Sequence, residues 1–360
     1  MADSAGQSKA KPLVSLGSLP GTFVKFPSDR LAKYQKAGYR IAGRNKHTGV
    51  EICRWTKSRM RGERNCYKAT YGIRSHRCVQ MTPTLDFCNF SCSWCWRTFG
   101  KDRAKSENKW DSPKEIVDAS IESQKKLLNG FGGNAKTTKK VLQEAMDPSH
   151  FAISLDGEPT LYPKIVELIK EIKDRGMTAF LVTNGTTPHR LREMLKKNIV
   201  PTNLYISVYG PNEETFAKGT NAFVKGLWPK VMESLSLFPD FNKKDCRTVF
   251  RMTCVKGLTM QKPEEYAKLI AKTEPMFVEL KGYSWLGESR SRLEQNAVPT
   301  MAELEEFAAE IVKETGYKIK ARDHISRVIV MVKDEKTWKW NLKKIKDQDK
   351  VFAEVSAKHK

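Results

Sequence analysis

Six short apolar runs, spaced along most of the chain and separated by amphipathic stretches, constrain its fold more than any other feature. "CVQMTPTLDF" (78–87), "HFAISL" (150–155), "TAFLVT" (178–183), "NLYISVY" (203–209), "RTVFRMTCVKG" (247–257) and "MFVELKG" (276–282) read as strands. Helices are predicted between them over 112–130, 161–176, 188–198, about 213–237 and 262–273. The first has Ser112 and Glu115 at capping-box spacing, Pro113 in its first turn and Gly130 as its stop. Such alternation implies a parallel sheet with right-handed crossovers; an open (β/α)6 partial barrel and a doubly wound sheet both satisfy it. A further helix (301–316) and the strand-like "SRVIVMV" (326–332) follow, with no internal repeat and no glycine-rich nucleotide loop. The chain divides into a flexible leader (1–20), a basic, poorly periodic extension (21–78), an α/β core (79–285), a C-terminal extension (286–335) and a Lys-rich tail (336–360).

Cysteine usage is lopsided. Six of the eight cysteines fall between residues 53 and 95, as Cys53, Cys66 and Cys78 and then Cys88, Cys92 and Cys95. No run has signal-peptide or membrane-span length, so a cytoplasmic protein with no membrane association is expected. In that reducing compartment clustered thiols are metal ligands rather than disulfides. The formal charge of 64 − 41 = +23 is a statement about partners. From Arg54 to Arg77 eight Lys or Arg face the single Glu63 and interleave with Trp55, Tyr67 and Tyr71, a texture suited to phosphates and stacked bases. A merely solvated basic face is the alternative.

Ligands of parallel α/β proteins collect at the C-terminal ends of strands. There lie the cysteine loop, "DGEPT" (156–160), "TNGTTP" (183–188) and "SVYGPN" (207–212). Closely spaced thiolates suit zinc or an iron–sulfur cluster. Cys88, Cys92 and Cys95 are spaced C-x3-C-x2-C without a nearby fourth ligand. Three thiolates can hold three irons of a four-iron cluster and leave the fourth open to a small molecule. The upstream trio also admits structural zinc, with His76 as fourth ligand.

C-x3-C-x2-C with Trp94 before the last cysteine resembles the signature of radical S-adenosylmethionine enzymes. A closer resemblance, over roughly residues 45–335, joins "CYKATYGIRSHRCVQMTP", "FCNFSCSWCWR", "SLDGEPTLYP", "FLVTNGT", "FRMTCVKG", "VELKGY" and "SRSRL" to the tRNA 4-demethylwyosine synthases. It implies a TIM-like partial (β/α)6 barrel of the radical enzyme type, with a cysteine-bearing N-terminal extension and a C-terminal α/β extension. It also implies S-adenosylmethionine and two [4Fe-4S] clusters. Cys88, Cys92 and Cys95 would hold the first cluster, and Glu158, Ser207, Asn184 and Trp94 would place the cofactor. Cys53, Cys66 and Cys78 would hold the second. Lys68 matches a lysine proposed to form a Schiff base with pyruvate, although pyruvate bound to the second cluster, with Lys68 a phosphate-binding or solvated side chain, remains an alternative.

The implied substrate is 1-methylguanosine at position 37 of phenylalanine tRNA. Hydrogen abstraction from its N-methyl group, addition to pyruvate and loss of the carboxylate carbon would close the third ring, making the enzyme a carbon–carbon lyase. Tyr71, Arg74, Arg77, Trp96 and Arg97 are expected as rim contacts to the tRNA, with the Lys-rich tail as a second phosphate site. The chain resembles the shorter archaeal form, which lacks a flavodoxin domain, so an external flavodoxin or ferredoxin reductant and a monomer are expected. The rivals are a radical enzyme with an auxiliary cluster acting on another substrate, and a non-catalytic zinc-stabilised RNA-binding protein.

Overall fold

The computed structural model describes residues 28–97 and 109–358; the leader at 1–20 lies outside them. Ten strands form one sheet: β1 (Arg40–Ala42), β2 (Thr48–Glu51), β3 (Cys78–Thr82), β4 (His150–Ile153), β5 (Thr178–Thr183), β6 (Asn203–Val208), β7 (Arg247–Cys254), β8 (Phe277–Gly282), β9 (Lys318–Asp323) and β10 (Val328–Val332). The order is β1-β2-β3-β4-β5-β6-β7-β8-β10-β9, with β3 to β8 mutually parallel and both edges antiparallel. A doubly wound sheet reverses its strand order at a switch point. Here the parallel strands follow chain order without reversal, which is the curved (β/α)6 half of the expectation.

Alternate residues divide the strands between two environments. Val79, Phe151, Ala179, Leu204, Phe250 and Val278 are buried against the helices. Their neighbours Cys78, Ala152, Phe180, Tyr205, Val249 and Phe277 form a separate inner cluster with Tyr71. The helix Pro113–Leu128 has the capping box read from sequence, with Ser112 and Glu115 reciprocally bonded. It continues past Gly130 into a 3-10 turn over Asn129–Gly133, so the glycine does not end it sharply. The single helical stretch expected near 213–237 is three helices, Glu213–Thr220, Trp228–Ser236 and Phe238–Asn242, the last two with proline in their first turns.

Two regions differ from the sequence reading. The extension holds the hairpin β1–β2, whose strands of three and four residues are too short to show a period. The Lys-rich tail is a 24-residue helix, Glu335–Lys358, packed across the N-terminal end of the barrel, away from the cysteine loop. Asn341 on this helix is fully buried; it accepts from Arg247 Nε at 2.6 Å and donates to the Thr70 carbonyl at 3.0 Å. Lys344 pairs with Asp245 and Asp349 with Arg74, so the tail spends part of its charge on fold contacts rather than on a phosphate surface.

Removing one partner of a buried charged hydrogen bond leaves the other desolvated. Asn341→Leu is therefore expected to destabilise the protein by about 2–3 kcal/mol, read as a lower denaturation midpoint with an unchanged slope.

Candidate functional site

Two cavities run inward from the C-terminal ends of the parallel strands. The outer one, about 340 Å³, is lined by Cys88, Cys92, Cys95, Trp94, Glu158, Asn184 and Ser207. Its cysteine loop is held by the chain rather than by regular structure. Ser91 and Ser93 N–H groups donate to the Thr220 and Gly219 carbonyls at 2.9 and 3.0 Å. Arg292, from "SRSRL", donates to the carbonyls of Ser93, Cys95 and Arg97. Trp94 packs on Tyr209 with ring centres 5.1 Å apart, and Gly219 leaves it room, since a Cβ there would lie 2.7 Å from the indole. Burial pushes the Cys88 and Cys92 thiols up. Cationic metal reverses that penalty, so the donor set fits a metal cluster better than free thiols.

Glu158 is buried and accepts four hydrogen bonds, from Thr160 N–H and Oγ1, Thr183 Oγ1 and Asn184 N–H, at 2.6–3.1 Å. Burial still raises its pKa. Gly157 makes this turn: its φ is +69°, and an added Cβ would sit 2.0 Å from the Thr84 carbonyl oxygen and 2.7 Å from that of Phe87. The Glu158 N–H in turn donates to Phe87 O at 2.7 Å, tying the acidic turn to the cysteine loop. Asn184 donates to Asn89 Oδ1 at 2.7 Å and lies 4.0 Å from Cys88 Sγ.

The inner cavity, about 190 Å³, is lined by Cys53, Cys66, Cys78, Tyr67, Lys68 and Gln80, and shares Ser154 and Arg251 with the outer one. The three upstream cysteines thus meet at one place although 25 residues separate the first from the last. Cys53 and Cys66 are helix N-caps, their sulfurs accepting from Thr56 N–H at 3.3 Å and Lys68 N–H at 3.5 Å. Burial pushes the Cys66 thiol up to about 12 and Cys78 higher still. His76 does not line this cavity, and its Nε2 is 2.8 Å from Glu144 Oε2, so it does not complete a zinc tetrahedron. Among the described residues no three His, Cys, Asp or Glu side chains converge as around a single ion; a four-iron cube, whose thiolates bind different irons, needs no common point.

Lys68 is buried, with Nζ 4.8 Å from the Tyr205 ring centre. Its pKa is lowered first by burial and then by the Arg251 guanidinium.

Four of the five expected rim contacts are corrected. Tyr71 is fully buried, edge-on to Phe277 and Tyr205 in the barrel floor. Arg77 is buried and pairs with Asp147, and Arg74, bonded to Asp349, lies with it at the N-terminal end of β3 and β4, opposite the cavity mouth. Arg97 is buried between Cys95 Sγ, 3.2 Å from its Nε, and Asp156 Oδ1, 2.7 Å from its NH1. Its charge faces the cysteine loop rather than solvent. Only Trp96 of the five is exposed at the mouth. Cationic surface instead gathers beside that mouth. Arg54, Trp285, Arg290, His324 and Arg327 line a depression that shares Ser284 and Leu286 with the outer cavity. Arg54 and Arg64 flank the Trp55 ring at 5.1 and 4.9 Å.

Sequence reasoning missed Arg251, Glu279, Asp156 and Arg292. The first two had a readable signal, a charge set within an apolar strand; the others became visible only through their partners.

Residues 82–270 match the radical SAM superfamily and residues 272–333 match wyosine base formation. The S-adenosyl-L-methionine-dependent tRNA 4-demethylwyosine synthase of Pyrococcus abyssi is 44% identical over 315 residues, covering 86% of this chain and 90% of that protein. The human counterpart is 36% identical over 282 residues, 77% of this chain but 37% of its own length. A TYW1 structure with a lysine–pyruvate adduct bound superimposes with a TM-score of 0.75 at 29% identity, covering 86% of this chain and 96% of that one. An archaeal TYW1 crystal structure gives 0.69 at 28% identity, with 86% and 97% coverage. Among the described residues no helix is long and apolar enough to cross a membrane. The chain belongs to the tRNA 4-demethylwyosine synthase family of radical S-adenosylmethionine enzymes.

Proposed function

We propose that this enzyme joins the N-methyl carbon of 1-methylguanosine, at position 37 of phenylalanine tRNA, to two carbons of pyruvate, closing the third ring of the wyosine base as a carbon–carbon lyase. The observation that carries the reading is the shared wall: the cavity of Cys88, Cys92 and Cys95 and that of Cys53, Cys66, Cys78 and Lys68 meet at Ser154 and Arg251. A lysine–pyruvate adduct in a similar structure supports Lys68 as the residue that holds the donor.

Cys88, Cys92 and Cys95 would hold a [4Fe-4S] cluster, which with S-adenosylmethionine would supply the radical chemistry. The chain's part is placement. Glu158, fixed by four donors, meets the cofactor's amino group, Ser207 its ribose, and Asn184 and Trp94 close the surrounding wall. The buried Lys68 amine, held low by desolvation, condenses with the pyruvate carbonyl while Cys53, Cys66 and Cys78 hold a second cluster. Water exclusion protects both the radical and the imine. We assign the tRNA contacts to Arg54, Trp55, Trp96, Trp285, Arg290 and Arg327 at the mouth, where a splayed base can enter. The remaining parts of the reading are an external flavodoxin or ferredoxin, a monomer and a cytoplasmic setting.

The decisive experiment is anaerobic reconstitution with methylated tRNA and labelled pyruvate, followed by mass spectrometry of the digested tRNA. Product carrying two pyruvate carbons is expected, and Lys68→Ala is expected to make none while still cleaving S-adenosylmethionine; cleavage without any labelled nucleoside would refute the substrate assignment. Replacing Cys53, Cys66 and Cys78 with alanine is expected to lower bound iron from about eight to about four per chain. Unchanged iron content would remove the second cluster from the scheme.

Gly157→Ala forces a side chain into positive φ against two carbonyls, strain of about 1–3 kcal/mol. Half-saturation by S-adenosylmethionine should rise about tenfold, with tRNA affinity unchanged. Affinity for tRNA should fall about a thousandfold between 50 and 200 mM salt. Arg54→Gln with Arg290→Gln should reduce the slope of log K against log salt by about two; an unaltered slope would place the tRNA on another face.

A further inference from the structure

We propose that Arg251 receives the carboxylate of the 2-oxoacid donor and so orients its carbonyl toward Lys68 and its remaining carbons toward the outer cavity. The inference rests on the reading that pyruvate is held at Lys68.

Arg251 stands on the inward side of β7, on the same side as Val249 and Thr253, and its register neighbours are Ser207 on β6 and Glu279 on β8. With Ser154 it belongs to the walls of both cavities. Its side chain is 19% exposed, while that of Glu279 is fully buried, and its Nε lies 3.4 Å from Glu279 Oε1. That oxygen also accepts from Tyr67 OH at 3.1 Å, and Glu279 Oε2 has no partner among the described residues. Glu279 therefore holds the guanidinium by one edge. No described group bonds its two terminal nitrogens, which leaves a forked pair of donors in a wall shared by both cavities, the geometry a carboxylate takes best.

The other cations of these walls are already used. Arg97 is held between Asp156 and Cys95 Sγ. Lys281 donates to the Ser326 and Gly282 carbonyls at 2.6 and 3.0 Å. Lys68 is the amine that must reach the ketone carbon, so it cannot also serve as the carboxylate's partner. A carboxylate is also the charge complement of the guanidinium edge that Glu279 leaves open. Arg251 in this role is a positioning residue that selects 2-oxoacids over neutral carbonyl compounds.

The test is equilibrium binding of labelled pyruvate and of pyruvamide, its neutral counterpart, to anaerobic iron-loaded protein without S-adenosylmethionine. Arg251→Met should weaken pyruvate binding about tenfold or more and leave pyruvamide within about twofold of wild type, whose preference for pyruvate is thereby lost. Because Arg251→Met strands the buried Glu279 carboxylate, the double variant Arg251→Met/Glu279→Leu removes both partners and should show the same loss. Arg251→Lys, keeping charge without the fork, should fall between. Wild-type pyruvate affinity in Arg251→Met or the double variant overturns the proposal and assigns the carboxylate elsewhere, such as iron of the second cluster. Equal weakening of both ligands also overturns it, as a structural role alone. Borohydride trapping run in parallel tests the parent reading separately: an adduct that survives Lys68→Ala refutes Lys68 as the donor's anchor, while the pyruvate-to-pyruvamide ratio still decides Arg251.

Discussion

Everything in this molecule depends on what the inward half of each parallel strand carries. A closed eight-stranded barrel fills its interior with layers of branched aliphatic side chains. This open six-stranded arc is filled only near its floor, and there mainly by rings, where Tyr71, Phe180, Tyr205, Val249 and Phe277 pack together. One layer higher the same strands present Ser207, Arg251 and Glu279, and the layer above that Thr253 and Lys281. Polar and ionised groups at such depth are tolerated only when paired or matched by a ligand. Glu279 meets Arg251 and Tyr67, and Lys281 meets two carbonyls. The polar layer is thus the part of the interior built for ligands, and the aromatic floor beneath it closes the space from below.

The two ends of the barrel are chemically distinct for the same reason. At the N-terminal ends of the strands the C-terminal helix and the 3-10 segment Tyr67–Tyr71 seal the floor through Arg247, Asn341 and Thr70. At the other end, the irregular loop of Cys88, Cys92 and Cys95 is fixed by a few long-range bonds: Arg292 to its carbonyls and Glu158 N–H to Phe87. Loops held by few bonds can place ligand atoms at positions that regular structure does not reach, and a rigid floor lets them do so reproducibly. Lys68 belongs to both parts, with its backbone in the floor segment and its amine in the inner cavity.

Arg97 and Arg77 show how a basic sequence can mislead. Arg77 ends the stretch whose charge density pointed to nucleic acid and Arg97 follows the cysteine loop, yet both are buried against carboxylates, one serving the barrel floor and the other the cysteine loop. The positive charge at the mouth comes largely from later in the chain, where Arg290 and Arg327 join Arg54. Net charge is a property of the whole surface; its placement is a property of folding.

The strand and helix alternation, the capping box at Ser112, the two cysteine trios and the acidic turn were legible in the amino-acid order, because each is a local pattern of period, spacing or residue type. Family motifs carried Lys68, Glu158, Ser207 and Asn184 as well. Strands of three residues in β1 left no period to read, and the tail's lysines concealed a helix with Asn341 and Phe352 on its buried face. Only the tertiary structure decided that Cys53, Cys66 and Cys78 share one cavity, that this cavity adjoins the other, and that Arg251 stands between them. Those facts depend on strand register and on which side of a curved sheet a residue faces, and both are settled by contacts between segments tens to hundreds of residues apart.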